Sequence, residues 1–339
     1  MPEATNTTDK PQLNGLSDAA SAGGRRKAGL GEAVVSRRGP IATLLLYVKG
    51  LSVGVSDLVP GFSGGTMALV VGIYPEIIAA ISSFSDRSFL QALRRRRLRE
   101  AFRLCHGPFL LTLGLGMVTA IVLLAPLATY LLTHFPLHVA AFFFGLVLAS
   151  ALVAGGLVRR WGRTELLLLP LGAIGAFVLV GLAPTETPSG PLFLVLAGAI
   201  AVCALVLPGL SGSFMLVLLS KYDVALAAVT ARDFGVIVPL MLGGVLGILS
   251  FARVMSYLLK RYHDPMLALL TGFVVGSLRK VWPYTQADGV SPAWPWLSVG
   301  PEPLVLAALM VAGVVAVLLL DRAGKRRARA AAPEPALPA

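Results

Sequence analysis

Charge is scarce in this sequence. Asp, Glu, Lys and Arg make up 14% of its 339 residues and hydrophobic residues 56%, whereas a soluble domain carries roughly 25% charged residues. Too little polar surface remains to clothe a water-facing fold, so the bilayer is the expected solvent. Cysteine is nearly missing as well: Cys105 and Cys203 are the only two, which excludes a disulfide framework and leaves free, reduced thiols as the expectation. His106, His134, His138 and His263 have no metal-ligand spacing and no Glu-x-x-x-Glu pair occurs, so no metal or cofactor is expected and paired-carboxylate catalysis lacks its groups. No Lys follows the glycine-rich turns, which rejects a nucleotide P-loop. The pairs Arg25/Arg26 and Arg37/Arg38 precede no short apolar region with a cleavage site, so residues 1–39 are expected as a disordered cytoplasmic tail and not a signal peptide.

Apolar runs are what the chain has in abundance. Ten are expected, at about 41–59, 66–83, 108–132, 137–158, 165–183, 191–207, 211–230, 234–259, 265–280 and 302–320. The net charge of +12 sits in the tails and short loops, where it sets membrane orientation, so no nucleic-acid partner is expected. Basic clusters fall in the N-terminal tail, at Arg87 to Arg103, at Arg159/Arg160/Arg163, at Lys260/Arg261 and beyond Asp321. By the positive-inside rule all are cytoplasmic, while the loops near His134, at 184–191 and at 284–302 face outward, and both termini lie inside.

The chain also repeats itself. Gly50 to Tyr74 (GLSVGVSDLVPGFSGGTMALVVGIY) aligns without a gap to Gly198 to Tyr222 (GAIAVCALVLPGLSGSFMLVLLSKY), and Tyr130 to Ser150 aligns to Tyr257 to Ser277. Three spans between the two hairpins turn the second copy upside down. The expectation is an all-α polytopic membrane protein of inverted repeats, with about six spanning helices plus two broken, re-entrant-type hairpins. Repeat 1 would cover 40–183, repeat 2 184–321, and 322–339 would be a basic, Ala/Pro-rich cytoplasmic tail.

The hairpin turns carry the chemistry. Pro60 removes an amide donor and, with Gly61, Gly64 and Gly65, breaks the first helix, after which Ser63 or Thr66 caps the next. Pro208, Gly209, Ser211, Gly212 and Ser213 repeat the device. Freed amides at that depth are tolerated only where they meet protein or a polar ligand, and glycine amides ringed by hydroxyls suit the oxygens of a phosphate. The plainer alternative is a pair of tight hairpins whose serines cap internally. Lys49, Asp57, Glu76, Lys221, Asp223, Arg253, Arg279 and Lys280 are the ionisable residues within apolar runs. Asp57 faces Leu205 in the repeat, so it is a candidate for coupling to a proton or sodium ion, or for a salt bridge to Lys49. Arg279 and Lys280, followed by Trp282, would hold a lipid phosphate at the interface or form an aromatic belt with a snorkelling cation. The Arg94 to Arg97 run is expected to rest on anionic headgroups.

Lys49-Gly50, Asp57 to Thr66 (DLVPGFSGGT), Gly72 to Tyr74, Leu207 to Met215 (LPGLSGSFM) and Gly276 to Pro283 (GSLRKVWP) together resemble the bacterial polyprenyl-phosphate translocase family, over roughly Ile41 to Leu320. The resemblance implies a flippase in the bacterial cytoplasmic membrane. It would return undecaprenyl phosphate, or a related polyprenyl phosphate, from the outer to the inner leaflet for cell-envelope polymer synthesis. Lys49, Asp57, the two turns, Arg279 and Trp282 are the matching positions. An undecaprenyl-pyrophosphate phosphatase also carries a PG-x-S turn, but needs an Arg within it and paired glutamates, and this chain has neither. A small-anion channel is the remaining alternative, separable by flux in liposomes. The charged loops make one prediction alone: a cysteine at Thr187 reacts with an impermeant thiol reagent applied outside intact cells, and one at Arg96 does not. The reverse pattern would overturn the topology.

Overall fold

The computed structural model describes residues 39–58, 63–284 and 302–330, with side chains to Arg322 in the last helix. Residues 1–38, 59–62, 285–301 and 331–339, Pro60 and Gly61 among them, lie outside the described residues. Every element is helical, and no strand occurs among the described residues. The helices are α1 (Pro40–Asp57), α2 (Gly64–Val70), α3 (Tyr74–Ser83), α4 (Arg87–Arg94), α5 (Leu98–Leu104), α6 (Gly107–His134) and α7 (Pro136–Gly155). There follow α8 (Arg163–Val180), α9 (Pro191–Val206), α10 (Gly212–Leu218), α11 (Tyr222–Ala231), α12 (Phe234–Arg261), α13 (His263–Ser277), a 3-10 turn (Leu278–Val281) and α14 (Glu302–Ala330). Five of them, α6, α7, α8, α12 and α14, are long and apolar enough to cross a bilayer, or up to seven spans if each bent pair counts as one. The chain is a polytopic helical membrane protein.

Two expectations need correction. The apolar runs 66–83 and 211–230 are not single limbs: α2 meets α3 at 117° and α10 meets α11 at 104°. Gly72 (φ 73°) and its counterpart Ser220 (φ 52°) make these corners in the left-handed region, which a hydropathy pattern cannot register. The Arg-rich stretch 84–107 is not an open loop but contains α4 and α5. The last helix also runs past Leu320 through the basic segment to Ala330.

Six helices recur in order, α1/α9, α2/α10, α3/α11, α6/α12, α7/α13 and α8/α14, with α4 and α5 confined to the first set. The junctions agree closely. Ser63 (φ −110°, ψ 132°) matches Ser211 (−111°, 131°), Ile73 (−110°, −5°) matches Lys221 (−115°, −3°), and Phe135 (−134°, 48°) matches Tyr262 (−130°, 57°). Without a water-driven force between helices, association depends on close backbone approach at small residues. A Cβ on Gly50 would strike the Leu113 carbonyl, and one on Gly198 the matching Leu240 carbonyl. Gly116 closes on Tyr47 and Gly243 on Val195 in the same way.

The fifth and sixth helices exchange partners. α7 packs on α14, and α13 packs on α8. Gly145 meets the Met310 backbone and Gly313 that of Phe142, while Gly272 meets Leu169 and Gly172 meets Leu269. The core gathers where α2 leans on α7, α3 on α12 and α13 on α7, around the fully buried Leu69, Tyr74, Ile78, Val147, Leu270 and Val274.

One crossing position is inverted between the copies. Gly54 on α1 faces Met117 on α6, whereas Gly244 on α12 faces Val202 on α9, its added Cβ lying 3.1 Å from Val202 Cγ2. Gly244→Met should therefore overpack α9/α12 and cost about 1–3 kcal/mol in thermal unfolding in detergent. Adding Val202→Gly recreates the first copy's pairing and should restore much of that loss. Simple addition of the two destabilisations would sink this account.

Candidate functional site

The first break is closed by its own side chains. The Gly64 N–H donates to Asp57 Oδ1 at 2.7 Å, and the Gly65 N–H donates to Ser63 Oγ at 3.2 Å. Asp57 thus spans the turn and places a carboxylate at the start of α2, where the freed amides favour negative charge. Ser63 caps as its position predicts, from an extended backbone. Lys49, one helix face away on α1, donates from Nζ to the Val71 carbonyl at 2.6 Å, tying the far end of α2.

The second break has the same backbone and different chemistry. Ser211 stands where Ser63 does, yet no side chain caps α10. Its hydroxyl pairs instead with Ser213 Oγ at 2.8 Å, and the position of Asp57 is taken by the exposed Leu205. Gly209 (φ 88°) turns the chain tightly against Phe273 and Ser277 of α13. Lys280, just beyond α13, holds its ammonium 4.4 Å from the centre of the Phe214 ring in the first turn of α10, a cation–π contact.

The two breaks meet. The buried Gly209 N–H donates to Thr66 Oγ1 at 2.7 Å, and Gly65 lies within van der Waals reach of the Leu205 and Val206 carbonyls at the end of α9. Residues 143 positions apart therefore share one polar junction inside the helical core. Of the residues singled out, Ser63, Gly64, Gly65, Thr66 and Asp57 gather with Pro208, Gly209, Ser211, Gly212, Ser213 and Lys280 around it.

Arg279 is held elsewhere. It donates from Nη1 to the Phe177 carbonyl at 3.2 Å and lies 4.5 Å over that ring, a favourable place for a cation at the end of α8. Its Nε stays buried with no hydrogen-bond partner. Trp282 packs edge-on to Phe144 of α7 at 5.1 Å and beside Tyr284, tying the 3-10 turn to the first copy.

Lys221 has a larger part than its sequence position suggests. It is 3% exposed and donates to the Thr187 carbonyl at 2.7 Å and to Ser189 Oγ at 3.2 Å. With Thr185 N–H on the Leu218 carbonyl, it straps the 181–190 loop to the α10–α11 corner. Its counterpart Ile73 gives no hint of this role. Sequence reasoning also missed Phe177 and Phe214 as ring partners and the capping by Asp57. Tyr74, matched by Tyr222, buries its hydroxyl without a partner.

Among the described residues no group of three or more His, Cys, Asp or Glu could hold a metal ion. What the junction offers is donors: glycine amides, four serine or threonine hydroxyls on the two breaks, and one ammonium group. Such a set can hold an oxyanion and has no paired acid and base with which to cleave one.

A family model described as VCA0040-like, undecaprenyl phosphate translocase-like, matches residues 53–292. A polyprenyl-phosphate transporter of Vibrio cholerae is 39% identical over 72% of this chain and 79% of its own length. One of Staphylococcus aureus is 33% identical over 70% of this chain and 85% of its own. No solved structure matches. The chain belongs to the undecaprenyl phosphate translocase-like family.

Proposed function

We propose that the chain carries undecaprenyl phosphate or a related polyprenyl phosphate from the outer to the inner leaflet of the bacterial cytoplasmic membrane, serving cell-envelope polymer synthesis. The observation that carries this is the Thr66–Gly209 hydrogen bond, which sets two amide-rich breaks side by side in a chain whose relatives are named polyprenyl-phosphate transporters. A lipid phosphate bears about −1.5 to −2 charge, and hydrocarbon cannot solvate it, so the breaks must replace its water. The uncapped second break, with Ser211, Ser213 and Lys280, receives it first. Arg279, set over the Phe177 ring at the end of α8, recruits the headgroup through its guanidinium charge, and the isoprenoid tail stays in lipid.

Inverted repeats and cytoplasmic termini follow from the charged loops, and three contacts agree with that map. The Arg160 N–H donates to Asp264 across two loops both assigned inside. His263 donates to Asp264 and holds its carboxyl below the usual carboxylate range. Arg253 reaches the Ser85 carbonyl on the same side. The Lys221 strap ties the loop assigned outside to the α10–α11 corner. Because Thr187 is engaged in that strap, a cysteine at the exposed Glu186 is the better outward probe.

Asp57 gives the cycle its coupling site. Its carboxylate and the lipid phosphate compete for one amide, so a proton or sodium ion that neutralises Asp57 frees Gly64 for the phosphate. Asp57→Asn keeps an acceptor for the Gly64 N–H and should leave transport indifferent to an imposed ion gradient, measured leaflet by leaflet in proteoliposomes. A mutant that still answers the gradient as wild type does would refute the coupling.

The serines should behave unequally. Ser63→Ala removes a working cap and should lower thermal stability by about 0.5–2 kcal/mol. Ser211→Ala removes a ligand group and should leave melting unchanged, while reducing stabilisation by added polyprenyl phosphate by about 1–3 kcal/mol. Undiminished lipid protection in Ser211→Ala would end the proposal. A phosphatase is tested apart: purified protein given polyprenyl pyrophosphate and divalent metal should release no phosphate, and turnover of about one per second lost in Ser63→Ala would establish the enzyme instead.

A further inference from the structure

The inserted pair α4 and α5 has no counterpart in the second copy, where α11 passes to α12 through Arg232 and Asp233 alone. Seven arginines stand between Arg87 and Arg103, with Glu100 the one acid among them, and all seven are exposed. A solvated loop needs nothing more than that. These helices, however, also leave large apolar side chains bare: Leu98 is 66% exposed, and Leu90, Leu93 and Phe102 are each close to half exposed.

The two kinds of residue are sorted by face. At 100° per residue, Phe89, Leu90 and Leu93 share one arc of α4, and Arg87, Gln91 and Arg94 the next. On α5, Leu98 and Phe102 lie together, and Arg99 and Arg103 follow on the adjoining arc. The remaining side of each helix is turned into the protein by a buried alanine, Ala92 or Ala101. Arg96, at φ 54°, makes the corner between them. Both ends of the pair are anchored to membrane helices. The Phe102 ring closes on Gly107 at the start of α6, and Arg253 of α12 holds the Ser85 carbonyl just after α3.

We propose that α4 and α5 form a membrane-surface docking element for anionic phospholipid, lying in the interface of the leaflet into which α3 and α6 emerge. Leu90, Leu93, Leu98 and Phe102 enter the acyl boundary, and the arginines hold headgroup phosphates. A solution partner of acidic character would match the charge and leave the apolar arcs unexplained.

The test uses the full chain with Cys105→Ser and Cys203→Ser, in vesicles of phosphatidylcholine with or without phosphatidylglycerol. Nitroxides are attached singly through Leu98→Cys, Leu90→Cys or Arg99→Cys, and their collision rates with oxygen and with a water-soluble nickel complex are compared. In vesicles containing phosphatidylglycerol, the oxygen-to-nickel ratio at 98 should exceed that at 99 by about threefold or more, as for a side chain below the headgroups. The excess should shrink without phosphatidylglycerol and in the variant carrying Arg94→Gln, Arg95→Gln and Arg97→Gln. The label at 90 repeats the reading on α4 should Leu98→Cys fail to fold. Equal water access at 98 and 99 in anionic vesicles overturns the proposal. So does shielding that comes only with an added polyanion such as heparin, or burial that ignores both phosphatidylglycerol and the arginines.

Discussion

A helix broken inside hydrocarbon must find partners for the amides and carbonyls it releases, because no water is there to take them. This chain breaks two helices at depth and settles the account largely by joining the breaks to each other. The Gly209 N–H finds the Thr66 hydroxyl, the Gly64 N–H finds Asp57, and Lys49 takes the Val71 carbonyl at the far end of α2. α2 and α10 are only seven residues long, about 10 Å of helix, and neither could persist alone. Their position rests on these bonds and on the surfaces they pack against, α7 for α2 and α9 for α10.

That dependence explains why the two halves are interlocked. If each copy packed only on itself, the short helices would meet across an interface free to slide. Instead the sixth helix of each copy lies on the fifth helix of the other, closed by glycines at matched positions, Gly145 with Gly313 and Gly272 with Gly172. The exchange makes a common frame from α7, α8, α13 and α14, on which α2 leans through α7.

Much of this was readable beforehand, and the failures have physical causes. The duplication could be seen because Pro, Gly and Ser are demanded at fixed places by breaks and caps, so both copies keep them. The corners at Gly72 and Ser220 could not be seen, since the apolar run passes through each without interruption and Ser is no turn signal at a left-handed position. The charge of the Arg87 to Arg103 stretch was plain in the sequence, but its helices were hidden by segments too short for periodicity to register. Asp57 was noticed as an ionisable residue beside a break. Its partner was out of reach, because a cap that crosses a turn depends on how the turn folds. The Gly54/Met117 and Val202/Gly244 inversion needs two different sequence offsets at once, and no linear comparison supplies them.

The copies agree in backbone to within about ten degrees at the helix caps Ser63/Ser211, Ile73/Lys221 and Phe135/Tyr262, and they differ in chemistry at several polar positions. Asp57 is set against Leu205, Thr66 against Phe214, Ile73 against Lys221, and the arginine-rich pair against a two-residue link. Duplication alone explains the shared backbone. The substitutions make the two halves chemically unequal. A carboxylate guards one break and not the other, one corner is held by a lysine from α1 and the other by a lysine of its own that reaches the preceding loop, and an arginine-rich helix pair follows one hairpin only. A repeated scaffold thus sets two breaks of like backbone side by side, and the unmatched residues make the two chemically distinct.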